Sequence, residues 1–156
     1  MNAIELLKED HQMAMSLISE LETADEQAGT DPSQTETFNK LHQALKLHTR
    51  MEEEIFYPAL ESFDETSDLV SEAYKEHDQV DQLLAQLSSQ APNEEEFQDT
   101  LAELRSSIED HVEEEEGEMF PQAEQLLGQQ RLLDMGQQMQ DMKTNTQKVA
   151  ATTRRR

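Results

Sequence analysis

Apolar residues in this chain recur at intervals of three and four, and no stretch alternates apolar and polar residues in the manner of a strand. Four such stripes can be followed. The first holds Ile4, Leu7, Ala14 or Met15, Ile18 and Leu21; the second holds Phe38, Leu41, Leu45 and then Ile55. The third holds Val70, Ala73, Val80, Leu84 and Leu87, and the fourth Phe97, Leu101, Leu104 and Ile108. A narrow stripe buries one face of a helix and leaves the remainder in water. The chain is only 35% hydrophobic with a mean hydropathy of -0.85, which suits such helices and not a sheet buried on both faces. The expected fold is all-α. Short connections between the stripes imply antiparallel neighbours, hence an up-down-up-down four-helix bundle.

Local signals give approximate boundaries. The first helix is expected over residues 3–24. Asp31 can cap the second and Pro32 suits its first position. Pro58 should kink or end that helix, with a further turn through Leu60 and Phe63. The third is expected over 66–90, before the break Ala91-Pro92-Asn93, and Asn93 with Glu96 resembles a capping box. The fourth reaches about Pro121, with a turn or two through Leu126 and Leu127 before Gly128. Residues 1–127 would then form the bundle. Residues 128–156 would add a short C-terminal helix, carrying Leu132, Met135, Met139 and Met142 at helical spacing, and a frayed basic tail ending in Arg154-Arg155-Arg156.

Every one of the four stripes is interrupted by a histidine. His11 falls between Leu7 and Met15, His48 after Leu45, His77 between Ala73 and Val80, and His111 after Ile108. Two of them carry a glutamate four residues on, His48 with Glu52 and His111 with Glu115, and residues four apart share a helix face. The segments around these pairs, His48 to Pro58 and His111 to Pro121, are altered copies of one another. Each half of the chain thus supplies one lone histidine and one His-x-x-x-Glu. Unpaired carboxylates in a core are costly, and two facing each other are worse, unless cations lie between them.

The candidate metal ligands are therefore His11, His48, Glu52, His77, His111 and Glu115. Four imidazoles and two carboxylates are too few for two separate closed sites, but suffice if each glutamate bridges both ions. Imidazole suits iron, zinc, copper or nickel, and bridging carboxylate favours iron or manganese, so two iron ions with a shared oxo or hydroxo group are the first expectation. His42 lies off the inner face and is expected at the surface. Glu54 and Glu118 are candidates for supporting contacts, and the remaining acidic residues of the Glu52–Glu54 and Glu113–Glu116 runs for a solvated face.

Net charge and cysteine usage bound the rest. Thirty-five acidic residues against 12 basic ones give a net charge of -23, which argues against nucleic acid and anionic membrane as partners. The absence of cysteine excludes disulfides and thiolate metal ligation. The first residues lack a hydrophobic signal region and no run could span a membrane, so the cytoplasm is the expected location.

The segments Leu6 to His11, His48 to Pro58, Glu76-His77-Asp78 and His111 to Pro121 together resemble the hemerythrin-like family, in its HHE cation-binding branch. The resemblance implies a non-haem diiron centre in a four-helix bundle, ligated by the six residues named above. It implies dioxygen, peroxide or nitric oxide as the small ligand, bound or reacted with, together with protein or redox partners. An iron-sensing or metal-regulated interaction module is the alternative. Oxygen-carrying members have a further histidine where this chain has Asp81, and an aspartate in the role of Glu115, so reversible oxygen transport is not expected. Asp81 is left as a weak ligand, an acceptor for His77, or a solvated residue. Tyr74 lies one turn before His77, and core packing is its expected role.

Overall fold

The computed structural model describes residues 1–23 and 32–154. Helix α1 spans Ala3–Glu22 and opens with a capping box: the Asn2 side chain accepts from the Glu5 amide at 2.9 Å, and the Glu5 carboxylate accepts from the Asn2 amide at 3.2 Å. Helix α2 spans Pro32–Met51 and continues through a π-helical turn, Glu52–Phe56, into α3, Tyr57–Glu61. Helix α4 spans Asp64–Ser88. Helix α5 spans Glu95–Glu114 and continues through a second π-helical turn, Glu115–Met119, into α6, Phe120–Arg154.

Neither Pro58 nor Pro121 ends its helix. The residue before each proline bonds back five positions, Tyr57 N–H to the Glu52 carbonyl and Phe120 N–H to the Glu115 carbonyl. The widened turn lets the chain pass a residue that has no amide proton and whose ring crowds the preceding turn. The bend after α3 is sealed by Thr66, whose buried hydroxyl donates to the Leu60 carbonyl at 2.6 Å. The N-cap of α5 is Glu94, one residue beyond the expected Asn93, and its own side chain makes no cap hydrogen bond. The cap expected at Asp31 lies outside the described residues.

Two apolar clusters fill the bundle. One gathers Leu7, Met51, Phe56, Tyr57, Leu60, Val70, Ala73, Met119 and Phe120; the other gathers Ala14, Leu41, Leu45, Val80, Leu84, Leu101, Leu104 and Ile108. Helix α1 passes from the first cluster to the second, α2 returns, α4 passes out again and α5 returns. The four helices therefore alternate in direction, as the stripes predicted.

Gly128, at φ 80 and ψ 165, interrupts α6 in a conformation that side-chain-bearing residues rarely adopt. The helical segment beyond it extends to Arg154, into the tail expected to be frayed. It buries Leu132, Met135 and Met139 against Ala3, Ile4 and the other members of the first cluster. At Gly136 it crosses the chain start so closely that an added Cβ would meet the Asn2 carbonyl carbon at 2.8 Å and overlap the Met1 carbonyl oxygen. No helix among the described residues is long and apolar enough to cross a membrane.

Candidate metal centre

Between the two apolar clusters lies one polar layer. On α1, His11 sits between Leu7 of the first cluster and Ala14 of the second; on α4, His77 sits between Ala73 and Val80. His48 follows Leu45 on α2 and His111 follows Ile108 on α5, each with its glutamate one turn on. All six predicted residues are buried, Glu52 at 0% and Glu115 at 1% exposure. For carboxylates these values demand a compensating charge.

The six side chains converge as two groups of four. His11, His48, Glu52 and Glu115 place one ligand atom each within 4.8 Å of one another, and Glu52, His77, His111 and Glu115 do the same. Both glutamates belong to both groups. His48 Nε2 and His77 Nε2 each lie 3.1 Å from Glu52 Oε1, while His11 Nε2 lies 3.0 Å from Glu115 Oε1 and His111 Nε2 3.0 Å from Glu115 Oε2. Four of the inward atoms (His11 Nε2, His48 Nε2, Glu52 Oε2 and Glu115 Oε1) are buried without any aligned hydrogen bond. Buried polar atoms that converge without partners are the geometry a cation answers. The donor set, imidazole nitrogen with shared carboxylate, fits a pair of first-row ions.

The outward nitrogen of each of these four histidines is also held. Asp10 takes His48 Nδ1 at 2.9 Å, Glu53 takes His77 Nδ1 at 3.0 Å, Glu76 takes His111 Nδ1 at 2.7 Å, and Glu116 takes His11 Nδ1 at 2.7 Å. These contacts run α1 to α2, the first π turn to α4, α4 to α5, and the second π turn back to α1. They close a ring around the bundle, fixing each ring's tautomer and leaving Nε2 as the inward donor. Sequence reasoning missed all four. The candidates it named were Glu54, which instead pairs with Arg50 at 2.7 Å, and Glu118, which is exposed. A signal was present: each supporting carboxylate is the immediate sequence neighbour of a ligand, in Asp10-His11, Glu52-Glu53, Glu76-His77 and Glu115-Glu116.

Tyr57 is the other residue the sequence did not reveal. Its fully buried hydroxyl donates to Glu115 Oε2 and lies 3.2 Å from His77 Nε2 and 3.5 Å from His111 Nε2. On an unbroken α-helix a residue nine positions after His48 would face away by half a turn. The π turn rotates it inward. The same rotation makes Phe56, and not the expected Ile55, the fully buried residue of this turn. In the second copy the corresponding residue is Phe120, whose ring stacks on His11 at 6.0 Å. Tyr74 packs edge-on against Tyr57 at 5.5 Å, a packing role as expected. Asp81 is partly exposed and paired with Lys46 at 2.9 Å, so it is a solvated surface residue and not a ligand. His42 stacks on Phe38 away from the site.

Charge is strongly coupled here. Burial disfavours the His48 imidazolium, yet the Glu52 charge, the Asp10 hydrogen bond and Glu115 outweigh it and raise its pKa to about 10. His77 and His111 are raised against burial by their carboxylate neighbours, chiefly Glu52 for the first and Glu115 for the second. Glu52 is held well below the usual carboxylate range, since the His48 charge overcomes its desolvation. Burial, with Glu52 and Glu115 nearby, pushes Tyr57 well above its ordinary value. The carboxylates of this layer thus favour a positive charge on His48, His77 and His111, as they would favour a cation between them.

A surface groove of about 710 Å³ lies between Arg50, Ile55 and the C-terminal helix, and none of the six residues lines it.

Known proteins resemble this chain in sequence and in fold. A DNA nickase of Nostoc sp. is 32% identical over 121 residues, which is 77% of this chain and 33% of that protein; the chain spans about a third of its relative's length. The crystal structure of a hemerythrin HHE cation binding domain-containing protein from Mycobacterium kansasii superposes with a TM-score of 0.82 at 27% identity, covering 99% of this chain and 93% of that one. The hemerythrin HHE cation binding domain matches residues 2–123, a span that includes all six converging side chains. By sequence and by architecture, this chain belongs to the hemerythrin HHE cation-binding family.

Proposed function

We propose that this chain is a non-haem diiron protein that binds, or reacts with, a small ligand such as dioxygen, peroxide or nitric oxide. The observation that carries the reading is the sharing of Glu52 and Glu115 between two four-residue groups. His11 and His48 would hold one ion, His77 and His111 the other, and the two glutamates would bridge them. The bound pair supplies Lewis-acid and redox chemistry toward the small ligand.

The protein's own residues set the conditions for that chemistry. The Nδ1 contacts hold each imidazole in one orientation. Phe120, stacked on His11, and the apolar clusters above and below exclude water. Tyr57 holds a proton beside the ligand atoms of His77 and His111. Iron and zinc analysis of protein purified from iron-replete cells tests the reading. About two irons per chain are expected. No bound metal, together with unchanged thermal stability after ferrous iron is added anaerobically, would sink it.

The cytoplasm remains the proposed location. The activity named for the Nostoc relative belongs to a protein of which this chain covers 33%, and a net charge of -23 is unfavourable for a polyanionic partner. A second reading, an iron-sensing module, draws support from the helix beyond Gly128, which packs against the site's own apolar cluster. Partner binding that is equal with and without iron would count against it.

A further inference from the structure

The ring of supporting carboxylates is symmetric in layout and asymmetric in charge. Asp10 is the most buried of the four, its side chain 12% exposed against 20% for Glu76, 34% for Glu116 and 39% for Glu53. Among the described residues it alone of the four pairs with a lysine or arginine. Lys143, from the helix beyond Gly128, donates to Asp10 Oδ1 at 2.5 Å while Asp10 Oδ2 takes His48 Nδ1 at 2.9 Å. Lys143 is itself largely buried, 24% exposed. The contrast on the opposite side is marked: Glu76, which holds His111, has the Glu114 carboxyl beside it in place of a lysine. A continuous line of contacts therefore runs from the C-terminal helix to a candidate ligand, Lys143 to Asp10 to His48 to Glu52.

We infer that Lys143 is a positioning residue for the metal position held by His11 and His48, locking Asp10 against His48 Nδ1, and that it makes the two metal positions unequal in affinity. The inference rests on the diiron reading above. Without Lys143, Asp10 would be a nearly buried carboxylate lacking its cation. It would turn toward the groove of about 480 Å³ that it lines with Lys40, Leu47 and Thr146, releasing His48. Loss of the group that orients a ligating histidine costs about 10-fold to 100-fold in metal affinity. The coupling is reciprocal, so metal at this position also holds the C-terminal helix in place.

The test is anaerobic ferrous titration of the full-length chain, followed by calorimetry and by visible absorption after oxidation, on wild type, Lys143→Met, Lys143→Arg, Asp10→Asn and the double variant Asp10→Asn/Lys143→Met. Lys143→Met is expected to weaken one of the two ferrous equivalents by about 10-fold and to leave the other within about 2-fold. Lys143→Arg, which keeps the charge and the donor, should restore most of the loss. In the Asp10→Asn background, Lys143→Met should add nothing. Equal weakening of both equivalents, no weakening, failed rescue by arginine, or a full second loss in the Asp10→Asn background would each overturn the inference. Circular dichroism monitors helix content throughout. Should Lys143→Met fail to fold, Lys143→Gln replaces it in the same titration. A wild-type chain that takes up no ferrous ion would overturn the diiron reading itself, an outcome distinct from a Lys143 variant that titrates like wild type.

Discussion

His48 shows how single residues tie folding to metal binding. In the metal-free protein its pKa stands at about 10 against an ordinary 6.5, and those of His77 and His111 are raised as well. A raised pKa means that the protonated form stabilises the fold. That stabilisation is complete below pH 6.5 and is lost as pH climbs toward 10. The depressed Asp10 and Glu52 act in the opposite sense, stabilising above the ordinary carboxylate range and losing their contribution in acid. Thermal denaturation of metal-free protein should therefore show a midpoint that falls from pH 6.5 toward pH 10; a midpoint that rises over that window would contradict the ion-pair network. Metal must displace these protons, so its binding should release protons into a weak buffer. Tyr57→Phe removes only an oxygen beside the candidate ligand atoms and keeps the ring against Tyr74. Its denaturation free energy should stay within about 1–2 kcal/mol of wild type. The visible spectrum of the iron-loaded, air-oxidised protein should change, and an identical spectrum would show that the hydroxyl does not reach the metal.

Among the elements, the two π turns and the C-terminal helix matter most. Each π turn begins at a glutamate shared by both groups and ends two residues before a proline, so the extra residue per turn aims the carboxylate, swings Tyr57 or Phe120 inward and carries the helix past the proline. The C-terminal helix is placed by two glycines with different reasons: Gly128 for its positive φ, Gly136 for space. Alanine at 136 would gain about 0.5–1 kcal/mol of helix propensity. It would also force backbone apart at Met1 and Asn2, at a cost of about 1–3 kcal/mol. The overlap should win. Urea denaturation is expected to show Gly136→Ala destabilised by about 1–2 kcal/mol, with faster amide exchange beyond Gly128. A stabilised variant would mean that the crossing is looser than described.

At the scale of the molecule, the polar layer divides what would otherwise be one hydrophobic core. Six buried ionisable groups lie between two apolar clusters, so the bundle carries a polar waist between two apolar halves. Filling the layer with metal should stabilise the whole fold. Ligand present at 100 to 1,000 times its Kd adds about 3–4 kcal/mol, which for a chain of this size is roughly 10 °C in Tm. Calorimetry of the loaded and chelated protein checks this, and equal midpoints would place the metal outside the folding unit.

The sequence by itself determined the fold class and the six candidate ligands, because both follow from helical periodicity: a histidine that interrupts an apolar stripe is buried with the stripe, whatever the neighbouring helices do. It also marked Gly128 as a boundary, since a glycine after a long apolar series breaks the helix by local chemistry alone. Three things were decided only by tertiary structure. Which carboxylates support the histidines depended on contacts between helices, where Glu53 and Glu54 differ by one position in sequence and by their entire surroundings in space. Tyr57 entered the site through a π turn, whose wider register no α-helical spacing contains. Lys143 met Asp10 because the chain folds back at Gly128 across 133 residues, and no local pattern encodes a pairing set by where two packed surfaces happen to meet.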